Sequence, residues 1–105
     1  NDVDGVYINT DLVAVGAIAE LNKRKIRIPE DIAIVGFSNW FMSSVISPSL
    51  TTIDQPGYKM GKQAFKLLFK EISQAKKGAL RRVETITLDT KLVQRDSTKI
   101  SVITF

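Results

Sequence analysis

Cysteine and histidine are both absent from the 105 residues. Without cysteine there is no disulfide, no thiolate metal site and no cysteine nucleophile. Without histidine the commonest general base near neutral pH is missing, and so is the commonest metal ligand. A Ser-His-Asp triad therefore cannot be assembled from this chain. Long apolar runs are lacking too, so no segment has the length to span a bilayer, and no secretory signal pattern opens the sequence. No phosphate loop is present. Gly57 to Gly61 is too short for a dinucleotide fingerprint and lacks the strand that should precede one. The acids are scattered among lysines and form no recurring motif. Catalysis, a metal and a cofactor are accordingly not expected.

What is present is ordinary for a folded protein. Apolar residues make up 44% and charged residues 25%, enough to bury a core. The length fills one domain at most. Fifteen Lys+Arg against eleven Asp+Glu give a net charge of +4, which raises the question of nucleic acid. The pattern answers against it: Lys59, Lys62, Lys66 and Lys70 recur at helical spacing opposite an apolar stripe, as a solvated helix face does.

Asp4-Gly5 is a turn signal, and Gly5 to Asn9 has the character of a short buried strand. From Asp11 the apolar residues Leu12, Val13, Val15, Ala17, Ile18, Ala19 and Leu21 fit a helix with a wide apolar face. Thr10 is placed to cap it, Asp11 suits the positive end of its dipole, and Lys23-Arg24-Lys25 suit the negative end. After the loop Ile28 to Asp31, the continuous run Ile32 to Phe37 resembles a parallel strand covered on both faces. Strand, helix and strand make one βαβ unit with an expected right-handed crossover. Ser38 to Ser47 is irregular, Leu50 to Asp54 extended, and Pro56 sits at the first turn of a second helix capped by Gln55 or Asp54. Gly61, Ala64, Phe65, Leu68 and Ile72 form its expected inward stripe. Ser73 to Leu80 is a polar connection. Val83 to Leu88 alternates as a strand does, and Lys91 to Gln94 follows as another, with Asp89-Thr90 either turning between them or interrupting one long strand. Ile100 to Phe105 is apolar enough to dock.

Two features suggest a piece of something larger. The parallel strands are few for a sheet without neighbours, and the first helix is apolar over more surface than one small sheet covers. The opening at Asn1, without an initiator Met, fits an excised segment.

In open α/β sheets, ligands bind beyond the carboxyl ends of the strands. Asn9, Thr10 and Asp11 stand at the first such end, and Ser38, Asn39 and Trp40 at the second. Their hydroxyls, amides and carboxylate suit a hydroxyl-rich ligand, and Trp40 suits a sugar ring or nucleobase. Each has a plain structural rival: Thr10 as a cap, Ser38-Asn39 as a turn, Trp40 as core or interface.

The order of segments is distinctive. Thr10-Asp11, Ala14, Gly16-Ala17 and Leu21 are followed by Ile28-Pro29-Glu30-Asp31-Ile32 and Ile34-Val35-Gly36-Phe37. Then come Pro48-Ser49-Leu50-Thr51-Thr52-Ile53, Gln55-Pro56, Met60-Gly61, Ala64, Leu67-Leu68, Leu92-Val93, Arg95 and Ser97-Thr98. In this order, from about Val3 to Thr98, the chain resembles the C-terminal part of the lac-repressor family of bacterial transcription regulators.

The resemblance implies an α/β fold: part of a two-lobed, periplasmic-binding-protein-like domain with a parallel sheet, incomplete in this chain. It implies a second-lobe βαβ unit over 1–50, a crossing segment and first-lobe helix over 51–81, and C-terminal strands and tail over 82–105. The helix-turn-helix of the family is absent. A small-molecule effector, a sugar or a nucleobase-type metabolite, would bind between lobes. Thr10, Asp11, Ser38, Asn39, Trp40 and Gln55 fall at or beside the family's effector contacts. Val15, Ile18, Ala19, Met42, Val45 and Ile46 fall on its homodimer face. Operator DNA would be met only through the missing N-terminal domain, in the cytoplasm and without a membrane. The family often has Asp where Ser38 stands, and a neutral hydroxyl grips ligand hydroxyls less strongly than a carboxylate. A periplasmic sugar-binding protein of a transport system shares the two-lobed fold, but Pro48 to Pro56 and Arg95 to Thr98 favour the regulators. A small α/β enzyme is the third reading, and the missing His and Cys weigh against it.

Overall fold

The computed structural model describes residues 3–78 and 83–98. The chain divides into two compact units, Asn1–Gln55 with Lys91–Phe105, and Pro56–Thr90. Residues 51–55 thus belong with the first unit.

In the first unit, β1 (Gly5–Tyr7) is followed by α1 (Asp11–Lys23) and β2 (Ala33–Val35). The two strands pair in parallel, Gly5 opposite Ala33 and Tyr7 opposite Val35. This is the expected βαβ order. A 3-10 turn occupies Phe41–Ser44, and β3 (Thr52–Asp54) pairs antiparallel with β4 (Lys91–Val93). The two ladders are continuous. Val35 and Thr51 form a parallel bridge, and the amides of Gly36 and Ser38 donate to the carbonyls of Thr51 and Ile53 at 2.9 and 3.0 Å. Segments β1, β2 and 51–54 therefore lie side by side and parallel, with β4 outside them.

Where β2 and β3 begin, a third segment closes the gap. The Ser97 hydroxyl donates to the Ile34 carbonyl at 2.6 Å and accepts from the Thr51 amide at 2.8 Å. The Ile34 amide donates to the Ser97 carbonyl at 3.2 Å. Ser97 is fully buried and bonded on every side, as a buried hydroxyl must be to offset its desolvation.

The core is small: Ala14 and Ile18 from α1, Ile28, Ile34 from β2, and Leu50, with Ile8, Leu21, Ile32 and Ile46 packed against it. Ala14 and Ile18 are four apart and share one helix face. Leu12 and Val13 fall on the other side and are exposed.

Several expectations need correction. β1 is exposed along its length, because its one strand neighbour among the described residues is β2. In β2 only Ile34 is fully buried. Thr10 holds the N-cap position of α1 in extended backbone, but its side chain makes no capping bond. Val83 to Leu88 forms no strand. Its alternation is there, but a strand exists only where a neighbour accepts its hydrogen bonds, and none among the described residues does. The Ile100 to Phe105 segment lies outside the described residues.

In the second unit, α2 (Gly57–Lys76) is longer than expected and takes in the start of the polar segment from Ser73. Pro56 stands at its N-cap, one residue before the first turn, and no side chain caps it. The stripe expected to face inward is uncovered: Phe65 is 61% exposed, and no residue of α2 is fully buried. Phe65 and Phe69, four apart, hold their ring centroids 4.9 Å from each other. Lys70 pairs with Glu84 at 3.1 Å. No helix among the described residues is long and apolar enough to cross a membrane.

The turn between α1 and β2 is tied by Arg27 and Asp31. The Arg27 guanidinium donates to both Asp31 oxygens, at 3.2 and 2.9 Å, and the Arg27 amide adds a third bond at 2.9 Å. These bonds hold the Asp31 carboxyl below its ordinary value near 3.8 and raise the Arg27 guanidinium. A carboxyl depressed in the folded state stabilises above its unfolded pKa and loses that contribution as pH falls through the folded pKa. Stability should therefore drop on acidification below about pH 4, and D31N should flatten that drop. Because the pair is exposed the effect is modest. Acid melts of D31N that overlay those of the parent would show that the pair contributes nothing.

Candidate functional site

The carboxyl ends of the parallel segments converge on one edge of the first unit, as continuous hydrogen bonding requires. Asn9 and Thr10 follow β1, Ser38 to Trp40 follow β2, and Asp54 and Gln55 end the 51–55 stretch. Sequence reasoning located the first two ends. At the third, Leu50 to Asp54 reads as extended and Gln55 comes from the resemblance alone, because a three-residue strand carries no readable periodicity and nothing in that stretch announces a parallel neighbour.

Asp11 organises this edge from within. It is fully buried. One carboxylate oxygen accepts from the Thr52 hydroxyl at 2.7 Å. The other accepts from the Ser43 hydroxyl at 2.6 Å and from the Trp40 amide at 2.9 Å. Its own amide donates to the Phe37 carbonyl at 3.1 Å. As the first residue of α1 it also sits where the helix dipole favours an anion. Asp11 thus departs from its expected role as a ligand contact, because both oxygens are turned inward and occupied. It fastens the end of β2 and the 3-10 turn to β3.

The Ser38-Trp40 segment is fixed amide by amide. Ser38 donates to the Ile53 carbonyl at 3.0 Å, Asn39 to the Thr52 hydroxyl at 3.2 Å, and Trp40 to Asp11. To make these bonds the backbone turns left-handed at two successive residues, φ 116° at Ser38 and 51° at Asn39. Asn tolerates that region, whereas Ser at φ 116° is strained by about 1–3 kcal/mol. Such strain persists only where surrounding bonds over-determine it, and here they do.

Asn39 carries a second network. Its amide nitrogen donates to Asp54 Oδ1 at 3.0 Å, and its carbonyl oxygen accepts from the Arg95 guanidinium at 2.9 Å. Arg95 also donates to the Leu50 carbonyl at 3.0 Å. Asn39 therefore separates the Arg95 cation from the Asp54 anion. Neither Asp54 nor Arg95 stood among the expected site residues. Arg95 had a sequence signal in the ordered motif series and Asn39 one at its strand end, but nothing in the sequence joins the two across 56 positions.

The other expected site residues keep some of their surface accessible. Ser38 and Gln55 are exposed, and Thr10 is half-buried with its hydroxyl not used as a cap. Trp40 is half-buried and meets Phe41 edge to face, with centroids 5.2 Å apart. Of the six residues expected on a pairing face, Val45 is 69% exposed, Ala19 exposed, and Val15 and Met42 half-buried. Ile18, 3% exposed, belongs to the core, because it lies one turn from Ala14 on the inward face of α1. Ile46 packs against the same core.

Residues 2–98 match the model of a periplasmic binding protein-like domain. Over 97 residues the chain is 40% identical to the HTH-type transcriptional regulator RegA of Clostridium acetobutylicum, and 37% identical to the ribose operon repressor of Halalkalibacterium halodurans. Each alignment covers 92% of this chain and 28% of the relative, so the chain spans little more than a quarter of the length of these proteins. Among solved structures it is similar to a LacI family transcriptional regulator from Enterococcus faecalis with bound ribose. The TM-score is 0.81 at 34% identity, covering 93% of this chain and 35% of that one.

Proposed function

Because the chain belongs to the periplasmic binding protein-like domain family, we propose that it is the C-terminal, effector-sensing segment of a bacterial transcription regulator and is not catalytic. The relatives are regulators of the kind that the ordered motifs resemble, which favours this over a transport binding protein. The observation that carries the reading is the edge where three parallel segments end, with Thr10, Ser38, Trp40 and Gln55 accessible above a rigid base. Rigid, pre-formed polar groups beside an aromatic ring recognise a small hydroxyl-rich metabolite at low entropic cost. The neighbour that holds ribose makes sugars the first class to test. Operator DNA would be contacted by a helix-turn-helix outside this chain.

The test is isothermal calorimetry of the full-length regulator with D-ribose, D-xylulose, cellobiose and purine nucleobases. Saturable binding of one of them is expected, followed by a changed affinity for operator DNA. No heat with any of them would overturn the reading.

We assign the homodimer face to the exposed apolar residues Leu12, Val13 and Val45, with Val15 and Met42 beside them. Placing a carboxylate there by V45D leaves the core untouched and should shift the full-length protein toward monomer, by about tenfold or more in dissociation constant, because an uncompensated charge is costly in an interface centre. Sedimentation that finds the parent and V45D equally dimeric would remove Val45 from that face.

A further inference from the structure

We propose that Asp54 is the ligand-gripping carboxylate of this site, and that the ligand it selects is a neutral, polyhydroxylated sugar and not a phosphorylated one. The proposal rests on the effector-sensing reading above and specifies its ligand class.

Two carboxylates belong to the converging strand ends, Asp11 and Asp54. Asp11 is unavailable, being fully buried with both oxygens bonded to Thr52, Ser43 and Trp40. Asp54 is half-buried and differs in one respect. Its Oδ1 accepts from the Asn39 amide, and among the described residues no donor reaches its Oδ2. Among the described residues no buried side-chain oxygen lacks a partner, which leaves Oδ2 on the accessible side of the carboxylate.

The surroundings keep that oxygen a strong acceptor. Arg95 is the nearby cation of the network, but its guanidinium is directed to the Leu50 carbonyl and the Asn39 side-chain oxygen. Lys91 stands opposite Asp54 in the β3–β4 ladder, yet no ion pair among the described residues joins them. Asp54 is thus a carboxylate braced by one amide, with no ion pair to it among the described residues. A sugar hydroxyl donating to Oδ2 would make a charge-assisted hydrogen bond, roughly twice as strong as a neutral one. The same charge repels a phosphate. The exposed Ser38 hydroxyl, on a backbone bonded directly to β3, can donate or accept beside it.

The rival role for Asp54 is only to brace Asn39. D54N separates the two, because the new amide keeps an oxygen for Asn39 and removes the charge. D54S, a smaller neutral variant, serves if D54N fails to melt cooperatively. By calorimetry on the full-length protein with D-ribose, D-xylulose and cellobiose, the neutral variant should bind the parent's sugar about tenfold or more weakly. The parent should bind the phosphorylated form of that sugar more weakly than the free sugar. Unchanged sugar affinity in the neutral variant, or tighter binding of the phosphorylated form by the parent, would overturn the proposal while leaving the effector-sensing reading in place. Failure of the parent to bind any of the three sugars would overturn the sugar assignment, and Asp54's role with it.

Discussion

Replacing Asp11 with alanine is expected to destabilise the protein by about 3 kcal/mol, since each buried donor left without a partner costs about 1–3 kcal/mol. Three donors lose their acceptor: the Thr52 and Ser43 hydroxyls and the Trp40 amide. The hydroxyls can rotate toward other acceptors, but the Trp40 N–H is fixed by the backbone. Removing a buried anion returns part of the loss, because its desolvation penalty disappears. D11N should cost less, about 1 kcal/mol, because its oxygen can serve Trp40 while its nitrogen donates to a rotated hydroxyl. Urea denaturation followed by circular dichroism measures both. An alanine variant within about 0.5 kcal/mol of the parent would mean that Asp11 is not the fastener described above, a difference large enough for such curves to resolve.

The second large effect is expected at Gly36, between β2 and the left-handed turn. A methyl group built there would overlap Asp11 Oδ1 and come within 2.9 Å of Leu50 Cδ2. Asp11 cannot move without giving up its bonds, and Leu50 is fully buried in the core. G36A should therefore cost about 2–3 kcal/mol, as overpacking of a filled site does. The two sites are coupled, which makes the prediction sharper. In a D11A background the nearer obstacle is gone, so G36A should cost less there, with an interaction energy of about 1 kcal/mol or more. Strictly additive losses in the double-mutant cycle would show that the contact between Gly36 and Asp11 is not what excludes a side chain.

The parts of the fold legible from sequence were those set by local pattern. α1 is marked by Asp11 at its start, a dense apolar face and three cations at its end, and β2 by an unbroken apolar run rich in β-branched residues. The errors fall where structure depends on neighbours. Val83 to Leu88 alternates but finds no strand to pair with among the described residues, and the stripe from Gly61 to Ile72 is apolar but exposed. The site divides in the same way. Thr10 and Ser38 are found by counting to the ends of strands. The inward turn of Asp11 and the bracing of Asn39 by Asp54 and Arg95 require knowing that 51–54 runs beside β2. That contact joins residues distant in sequence, and no local pattern encodes it.

Ser97 has a consequence for the order in which this fold is made. It binds the Ile34 carbonyl 63 positions upstream and the Thr51 amide 46 positions upstream. A chain leaving the ribosome exposes Ile34 and Thr51 long before Ser97 emerges. Until then β1, α1 and β2 can associate locally, but the seam between β2 and β3 lacks its closing hydroxyl. Closing loops this long is slow, since their entropy is lost before the contact rewards it. The first unit should therefore complete itself only once Ser97 has emerged, with the open seam the stretch most in need of a chaperone's cover until then.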